Sequence, residues 1–508
     1  MTTTQKIQKR LNDSKGARWT ALIIVSFTMM MAYFFTDVMG PLEAPLTTKG
    51  KLVYLDNGSP IAADSLMKIS KQEIKSENDI EIGNKYDIKY TNKEKKVVEE
   101  SVTVDSTIQG LGWESNDYGF FSGAYGLINV FLLMLFFGGI ILDRMGVRFT
   151  GLMSTTLMFV GAAIKWYAVS STFSGEIFGL PTQVAIASLG FAIYGVGCEI
   201  AGITVTKVIA KWFTGHELAL AMGLQVALAR VGTACALFFA LPVAQGFGIV
   251  SAPVMIGASA LCIGMLSYIV YCVMDKKLDA SSTTSLDAGD SEEQFKMSDL
   301  KVIFCNKGFW LITFLCLMFY SAVFPFLKFA TNLMIIKYHV NPELAGIIPG
   351  LLPFGTILLT PLFGSVYDKM GKGATLMLIG SILLTIVHVL FALPILDIWW
   401  FAVIVMILLG IAFSLVPSAM WPSVPKIIPM KQLGSAYAII FYIQNIGLSL
   451  VPMLIGNVIQ SNTTGGATDY TAPMAIFAGF GCVAVLISLM LKGADKKYHY
   501  GLEEKNLE

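Results

Sequence analysis

Apolar residues occur in long runs that short polar connections separate along most of the chain. A helix needs about 20 apolar residues to cross the hydrocarbon core of a bilayer. Twelve runs approach or exceed that length, near 19–42, 117–141, 150–170, 182–207, 217–240, 249–273, 309–336, 344–366, 374–394, 399–423, 434–457 and 473–491. We therefore predict an all-α membrane protein with twelve transmembrane helices.

The first two predicted helices are separated by a long polar insert, residues 47–115. It contains short alternating runs such as "KLVYL", "YDIKY" and "SVTV", with turn signals at "DNGS" and "GNK". Alternation bounded by turn residues is typical of hairpin strands. We predict a small β-rich outer module of three or four strands, acting as a surface ornament, as support for a lid, or as the binding site of an outer partner.

Polar segments divide the rest of the chain. We expect a cytoplasmic N-terminus at 1–18, a first six-helix bundle at 19–273, a linker at 274–308, a second bundle at 309–491 and a cytoplasmic tail at 492–508. Lys and Arg set the orientation, because they are enriched in short cytoplasmic loops. The loops near 171–181, 241–248, 394–398 and 458–472 contain none, so we place both termini in the cytoplasm.

Composition agrees with a membrane setting. The chain is 55% hydrophobic and 14% charged, whereas soluble domains average roughly 25% charged residues. The net charge of +1 says nothing about nucleic acid, but no basic patch mixed with aromatic residues appears, so we expect no nucleic-acid partner. The sequence contains neither a CxxC nor a Cys/His cluster, so we expect no metal site and no cofactor. The partners that we expect are membrane lipid and a small-molecule substrate.

Two internal repeats relate the halves of the chain. "GIILDRMG" after the second run matches "GSVYDKMG" after the eighth, at an offset of 225. The chemistry of these motifs lies in glycines, an Asp and basic residues: Gly139, Asp143, Arg144, Gly146 and Arg148 in the first copy, and Asp368 and Lys369 in the second. A second repeat, at an offset of 215, relates the segments that begin at Lys211 and Lys426. Repeats of this kind predict two similar bundles.

The first of these motifs resembles the signature loop of the major facilitator superfamily. The resemblance implies a secondary transporter, not an enzyme, whose two bundles rock about a central site. In such a loop, glycines let helix ends approach closely, and the Asp and basic residues hold one conformation. No ATP-binding motif appears in the sequence, so we expect solute gradients to drive transport.

A narrower resemblance is to the lysosomal dipeptide transporter branch of that superfamily. It is carried by "YFFTD", "FPF", "GLQVALARVG" and, most specifically, "MWPSVPKIIPMKQLGSAYAIIFYIQNIGLSL". Two features depart from the branch: the insert at 47–115, and an N-terminus without an acidic dileucine signal. We therefore expect the protein to lie in a cell membrane, namely the bacterial inner membrane. We do not assume a lysosomal partner subunit.

One arginine, Arg230, lies within more than twenty otherwise uncharged residues. A guanidinium keeps its proton, so inside a membrane it needs a partner. Glu199 lies fifteen residues before Thr214 and Arg230 sixteen after it, which places both about 20 Å from that turn. Equal depth predicts an ion pair near the membrane middle, either structural or part of a substrate site.

The resemblance assigns Glu199 and Arg230 to the dipeptide site. Arg230 would take the peptide carboxylate, because its planar fork matches that group. Glu199 or Asp37 would take the ammonium end. In the second half, Asn445 is the equivalent of Arg230.

Aromatic candidates for the cavity wall are Trp421, Tyr442 and Phe326, and we expect Lys165 and Lys328 to extend toward the membrane surface. An organic-anion or sugar-phosphate antiporter is the alternative function, and a non-transporting receptor that uses the outer insert is another.

Overall fold

Long apolar helices make up most of the molecule. The computed structural model describes residues 11–91, 97–213, 218–281, 303–429, 433–464 and 467–505. The helices are α1 Lys15–Asp37, α2 Glu43–Thr47, α3 Ala63–Ile69, α4 Ser115–Phe131, α5 Met134–Ser170, α6 Thr182–Phe213, α7 Leu218–Phe247, α8 Ser251–Ser281, α9 Lys307–Tyr338, α10 Pro342–Ala345, α11 Ile347–Met370, α12 Gly373–Ala392, α13 Trp399–Ile427, α14 Leu433–Ser461 and α15 Thr471–Tyr498. Most of the linker predicted at 274–308 lies outside the described residues.

Eleven helices of the described residues are long and apolar enough to cross a membrane. The all-α membrane class is therefore confirmed, although the count of twelve is not reached. The difference lies in the second predicted span. Helix α4 ends at Phe131, Leu133 takes a left-handed φ of 51°, and α5 begins at Met134, so this span is divided into two helical pieces.

The outer insert contains the predicted β-structure. Four strands, β1 Lys51–Leu55, β2 Pro60–Ala62, β3 Lys85–Thr91 and β4 Val97–Gln109, form one antiparallel sheet in the order β2-β1-β4-β3. The sheet and α3 bury a small core of their own, which includes Val53, Leu66, Ile88 and Val102. On the exposed surface, hydrogen bonds from Lys71 and Lys89 lower the pKa of Glu99 to about 2.

The two bundles meet at the end of the molecule that carries the insert. A Cβ at Gly119 of α4 would lie 2.6 Å from the Pro452 carbonyl oxygen of α14, so only glycine permits this approach. The backbone N–H of Ser115 donates to Gln460 of the other bundle at 2.9 Å. A Cβ at Gly223 or Gly364, near the opposite end, would meet nothing within 4 Å. The space between the bundles therefore opens away from the insert.

Candidate functional site

A cavity of about 800 Å³ lies between the bundles. Helices α1, α4, α6 and α7 line it from the first half of the chain, and α9, α11, α13 and α14 line it from the second. Its volume falls within the range of roughly 300–1,000 Å³ that is usual for small-molecule sites. The wall is mostly apolar, with a few charged side chains that are therefore the candidates for recognising a solute.

Arg230 enters this cavity from α7, surrounded by aromatic rings. Its guanidinium carbon lies 5.7 Å from the ring centre of Tyr33, 5.5 Å from Phe324 and 5.8 Å from Phe413. A cation over such a ring gains about 0.5–2 kcal/mol, depending on desolvation. Two of the rings belong to the second bundle, so the cage around the arginine closes across the cavity.

The ion pair expected between Arg230 and Glu199 is not formed. Within the described part of the chain, no ion pair includes either residue. Glu199 instead accepts a hydrogen bond of 2.8 Å from the hydroxyl of Tyr125. Close packing makes this bond possible, because a Cβ at Gly195 would clash with the Tyr125 carbonyl oxygen. The acid and the arginine therefore line the cavity as separate groups.

Asp37 forms an ion pair that joins the two bundles. Its Oδ1 lies 2.6 Å from the Nζ of Lys328 on α9, and Lys328 also donates to the Thr36 carbonyl oxygen at 2.9 Å. Both side chains are 15% exposed and line the cavity. The expectation that Lys328 extends to the membrane surface is therefore wrong, because a carboxylate on α1 binds it inside the protein.

Lys165 also departs from the sequence expectation. The side chain is completely buried, and its Nζ lies 4.3 Å from the ring centres of Phe35 and Phe191 and 5.2 Å from that of Phe121. Its Nζ donates a hydrogen bond to the Phe35 carbonyl oxygen at 3.4 Å. Aromatic faces on three helices thus hold the ammonium group inside the first bundle.

Trp421 and Asn445 line the cavity from the second bundle. Trp421 donates from its indole N–H to the hydroxyl of Tyr320 at 3.1 Å, which fixes the ring plane. Asn445 is 4% exposed, and its Nδ2 donates to the Phe441 carbonyl oxygen at 2.9 Å. Its Oδ1 has no hydrogen-bond partner among the described residues. This acceptor is buried, 3.5 Å from where a Cβ at Gly126 of α4 would lie.

Two of the aromatic candidates lie elsewhere. Tyr442 is not among the residues that line the cavity. Phe326 is fully buried in the second bundle, stacked on Phe391 at 5.4 Å and packed edge-to-face on His388 at 5.1 Å. The expectation that Phe326 lines the cavity is therefore corrected: its side of α9 faces the core of its own bundle.

Sequence reasoning missed the residues that contact Glu199 and Arg230. Tyr125 bonds Glu199, and the rings of Tyr33, Phe324 and Phe413 surround Arg230. One signal was present for Tyr125, since it follows Phe121 by one helical turn on α4. The cage rings had none, because they come from three helices far apart in the chain.

The first repeated motif forms the junction of α5 with its neighbours. Gly146 has φ 77° and ψ 173°, and it kinks α5 where the second and third predicted spans join. Arg148 pairs with Asp275 at 3.3 Å and Asp279 at 2.6 Å, both on α8. Lys211 at the end of α6 binds the same two acids. This network joins three helices of the first bundle, as expected of a motif that holds helix ends together.

The other residues of the two motif copies differ in their surroundings and exposure. Gly139 has open space around it, Arg144 is exposed, and the side chain of Asp143 lies outside the described residues. In the second copy Lys369 is exposed and Asp368 half-buried. Gly371 has a φ of 70°, like its counterpart Gly146.

We expect Arg148→Ala to slow transport at least 10-fold while changing ligand affinity less than 3-fold. The substitution removes two ion pairs on the 1%-exposed Asp275 and on Asp279, far from the cavity, and so changes the energies of the conformations rather than the site. Initial uptake rates and equilibrium binding by one purified variant check this. A variant that binds poorly but turns over normally would contradict it.

Comparisons of the sequence with known proteins agree on one family. The sequence model of the Major Facilitator Superfamily matches residues 101–452, and a second match covers 329–506. The chain is 26% identical to the "Lysosomal dipeptide transporter MFSD1" of Homo sapiens over 340 residues, 65% of this chain and 69% of that protein. It is 26% identical to the Danio rerio protein of the same name over 370 residues, 71% and 75% of the two chains.

A solved structure supports the same fold. The nucleoside transporter NupG matches with a TM-score of 0.62 at 14% identity, covering 94% of this chain and 98% of that one. At this identity the likeness concerns the arrangement of the helices alone.

Proposed function

Because the chain belongs to the major facilitator superfamily, we propose that it carries a small zwitterionic solute, a dipeptide by similarity, across a membrane by alternating access. The observation that supports this most directly is the separation of Arg230 from Glu199 within one cavity. A cation and an acid that do not neutralise each other suit a solute that bears both charges.

Arg230 is suited to the carboxylate. Its guanidinium is held by rings rather than by an acid, so its N–H donors remain available to the cavity. A guanidinium binds a carboxylate through two parallel hydrogen bonds. The cage holds the guanidinium without an acid that would compete for those donors.

Glu199 is suited to the ammonium group. Tyr125 donates to one carboxylate oxygen, which orients the acid while leaving its other oxygen free to accept. Tolerance of different side chains would follow, since the termini are fixed and the remaining wall is apolar.

The protein is a multi-pass membrane protein. We propose, from the distribution of Lys and Arg, that its termini face the cytoplasm. The vertebrate relatives carry the word lysosomal in their names, and they give no support to the bacterial inner membrane expected from the sequence.

An organic anion or sugar phosphate is the alternative solute, because Arg230 would bind such a group equally well. A panel of ligands added to the purified protein distinguishes the two functions. We expect dipeptides to raise the Tm by several degrees, and expect dicarboxylates and sugar phosphates to have little effect. Stabilisation by the anions alone would overturn the zwitterion and favour the alternative.

A further inference from the structure

A third internal repeat relates the ends of the two bundles that lie opposite the insert. "DKK" occurs at 275–277 near the end of α8 and again at 495–497 near the end of α15, at an offset of 220. The repeat that begins at Lys211 and Lys426 adds a second matched position, at the ends of α6 and α13. The lysine and the acid that form an ion pair in the first bundle therefore both have counterparts in the second.

The arginine of the first-bundle network has no such counterpart. The offset that relates the two motif copies places Gly373, at the start of α12, where the first copy has Arg148. Among the described residues, no ion pair includes Lys426 or Asp495. The matching helix ends of the second bundle are therefore held by other contacts.

The segment that follows α15 makes these contacts. Residues 500–504, which we call the strap, fold back over the helix ends. Lys426 Nζ donates to the carbonyl oxygens of Gly501 at 2.9 Å and Glu504 at 3.0 Å. The lysine thus binds the backbone of the strap, whereas its counterpart Lys211 binds two acids.

Leu502 of the strap joins the other two helix ends. Its carbonyl oxygen accepts a hydrogen bond of 2.8 Å from the N–H of Gly373, and its own N–H donates to Asp495 Oδ1 at 3.0 Å. Its side chain is fully buried, so apolar packing holds the strap as well. All three counterpart positions, on α12, α13 and α15, therefore bind the strap.

Glu503 of the strap caps α12. The residue before that helix, Lys372, has a left-handed φ of 63°, and its side chain makes no capping hydrogen bond. The Glu503 carboxylate accepts from the N–H of Thr375 at 2.8 Å and from the Thr375 hydroxyl at 2.9 Å. The first N–H groups of a helix have no partner within it, so the strap supplies an acceptor that α12 itself lacks.

The glycines of the second motif copy make room for the strap. A Cβ at Gly371 would lie 2.6 Å from the Glu503 carbonyl oxygen, and one at Gly373 would lie 2.9 Å from that of Leu502. In the first copy, a Cβ at Gly146 would meet nothing within 4 Å. A side chain at position 373 and the strap therefore exclude each other.

We propose that the strap is the second bundle's substitute for the arginine network: it ties the helix ends so that this bundle moves as one body during alternating access. The hydroxyl of Tyr500, which accepts from the Gly308 N–H at 3.2 Å, extends the tie to α9. Since these contacts lie within the second bundle, rocking of one bundle against the other leaves the strap in place. This role depends on the proposed alternating access but not on which solute is carried.

Hydrogen exchange of the full-length protein, without any solute, tests the tie. We expect Glu503→Ala to speed exchange roughly 10-fold at the start of α12, and also at the start of α9 and the end of α13, because helix ends that lose a shared tie open more often. The matched control is Glu504→Ala, since that side chain is exposed and its residue binds Lys426 through the backbone. The control should exchange like the native protein. Faster exchange at α12 alone would overturn the tie and leave a helix cap only.

Transport gives a second, separate readout. We expect Glu503→Ala to lower the maximal uptake rate of a dipeptide about 5-fold and to change its Kd less than about 2-fold, because the strap does not line the cavity. An unchanged maximal rate would contradict the role. If the native protein takes up no dipeptide, the proposed function fails, while the exchange pattern still decides the strap. Glu503→Gln, which keeps the shape of the side chain, replaces the alanine variant if the latter does not fold.

Discussion

Replacing Arg230 with Lys is expected to weaken dipeptide binding by about 10- to 100-fold while leaving the protein folded. Lysine keeps the charge but presents a point donor in place of a planar fork. Losing one charge-assisted hydrogen bond costs about 1.5–3 kcal/mol, and each 1.4 kcal/mol is tenfold in Kd. The rings of Tyr33, Phe324 and Phe413 that surround the guanidinium can still hold an ammonium group. The loss should therefore appear in recognition rather than in stability.

The measurement compares a dipeptide with forms in which one terminus is blocked. If Arg230 reads the carboxylate, Arg230→Lys should weaken the free dipeptide and its N-acetyl form, and change little for the C-terminal amide. Glu199→Gln should give the reverse pattern, with the N-acetyl form least affected. Tyr125→Phe is the control for orientation, because it removes the hydrogen bond to Glu199 and keeps the acid.

A different pattern of affinities would mean that other residues of the cavity bind the dipeptide termini. If both folded variants lose affinity equally for all three ligands, Arg230 and Glu199 do not read the termini. A structural role predicts reduced folding instead, with no dependence on the blocked terminus. The structural alternative requires an ion pair between Arg230 and Glu199. No such pair is formed among the described residues, so the structure does not support that alternative.

Much of the fold follows from local sequence patterns. Apolar runs predicted the spanning helices, and strict alternation predicted the sheet of the insert, because each pattern reports which residues face water. The division of the second span was missed, since "VFLLMLFF" is uniformly apolar and nothing in it marks Leu133 as left-handed. The motif glycines were expected to let helix ends approach closely, but a Cβ at Gly139 or Gly146 would meet nothing within 4 Å. Gly146 instead supplies the positive φ of the kink in α5.

Glu199 and Arg230 were found by counting, but their partners were not. Counting along two helices gives the depth of Glu199 and Arg230, while rotation about each helix axis decides what they touch. Lys328 finds Asp37 across 291 positions of sequence, and such a pairing depends on how the bundles meet. A single sequence gives the depth of a residue along its helix. The contacts between the bundles are known only from the structure.

The Asp37–Lys328 ion pair is the contact through which these bundles should control transport. It lies in the cavity wall, where both side chains are 15% exposed and Asp37 ends α1, near the region where the bundles are closed. The hydroxyl of Tyr118 adds a hydrogen bond of 2.8 Å to the Lys328 carbonyl oxygen. Opening toward the insert must separate Asp37 from Lys328, so their attraction stabilises the conformation described here.

We expect Asp37→Asn and Lys328→Gln each to lower transport at least 10-fold, and the double variant to recover part of that loss. Each single change leaves one charge without its partner in a partly buried place, which is costly, whereas the double change removes both charges. Initial uptake rates for the four proteins give the coupling between the two positions.

The matched control is Lys71→Gln with Glu99→Gln, a pair also 2.6 Å apart but 46% and 47% exposed. Exposed pairs contribute about 0–1 kcal/mol, so these variants should transport normally. If the losses of the two single variants multiply in the Asp37/Lys328 double variant, the two residues act independently. Asp37 would then be left as a second candidate for the ammonium group of the solute.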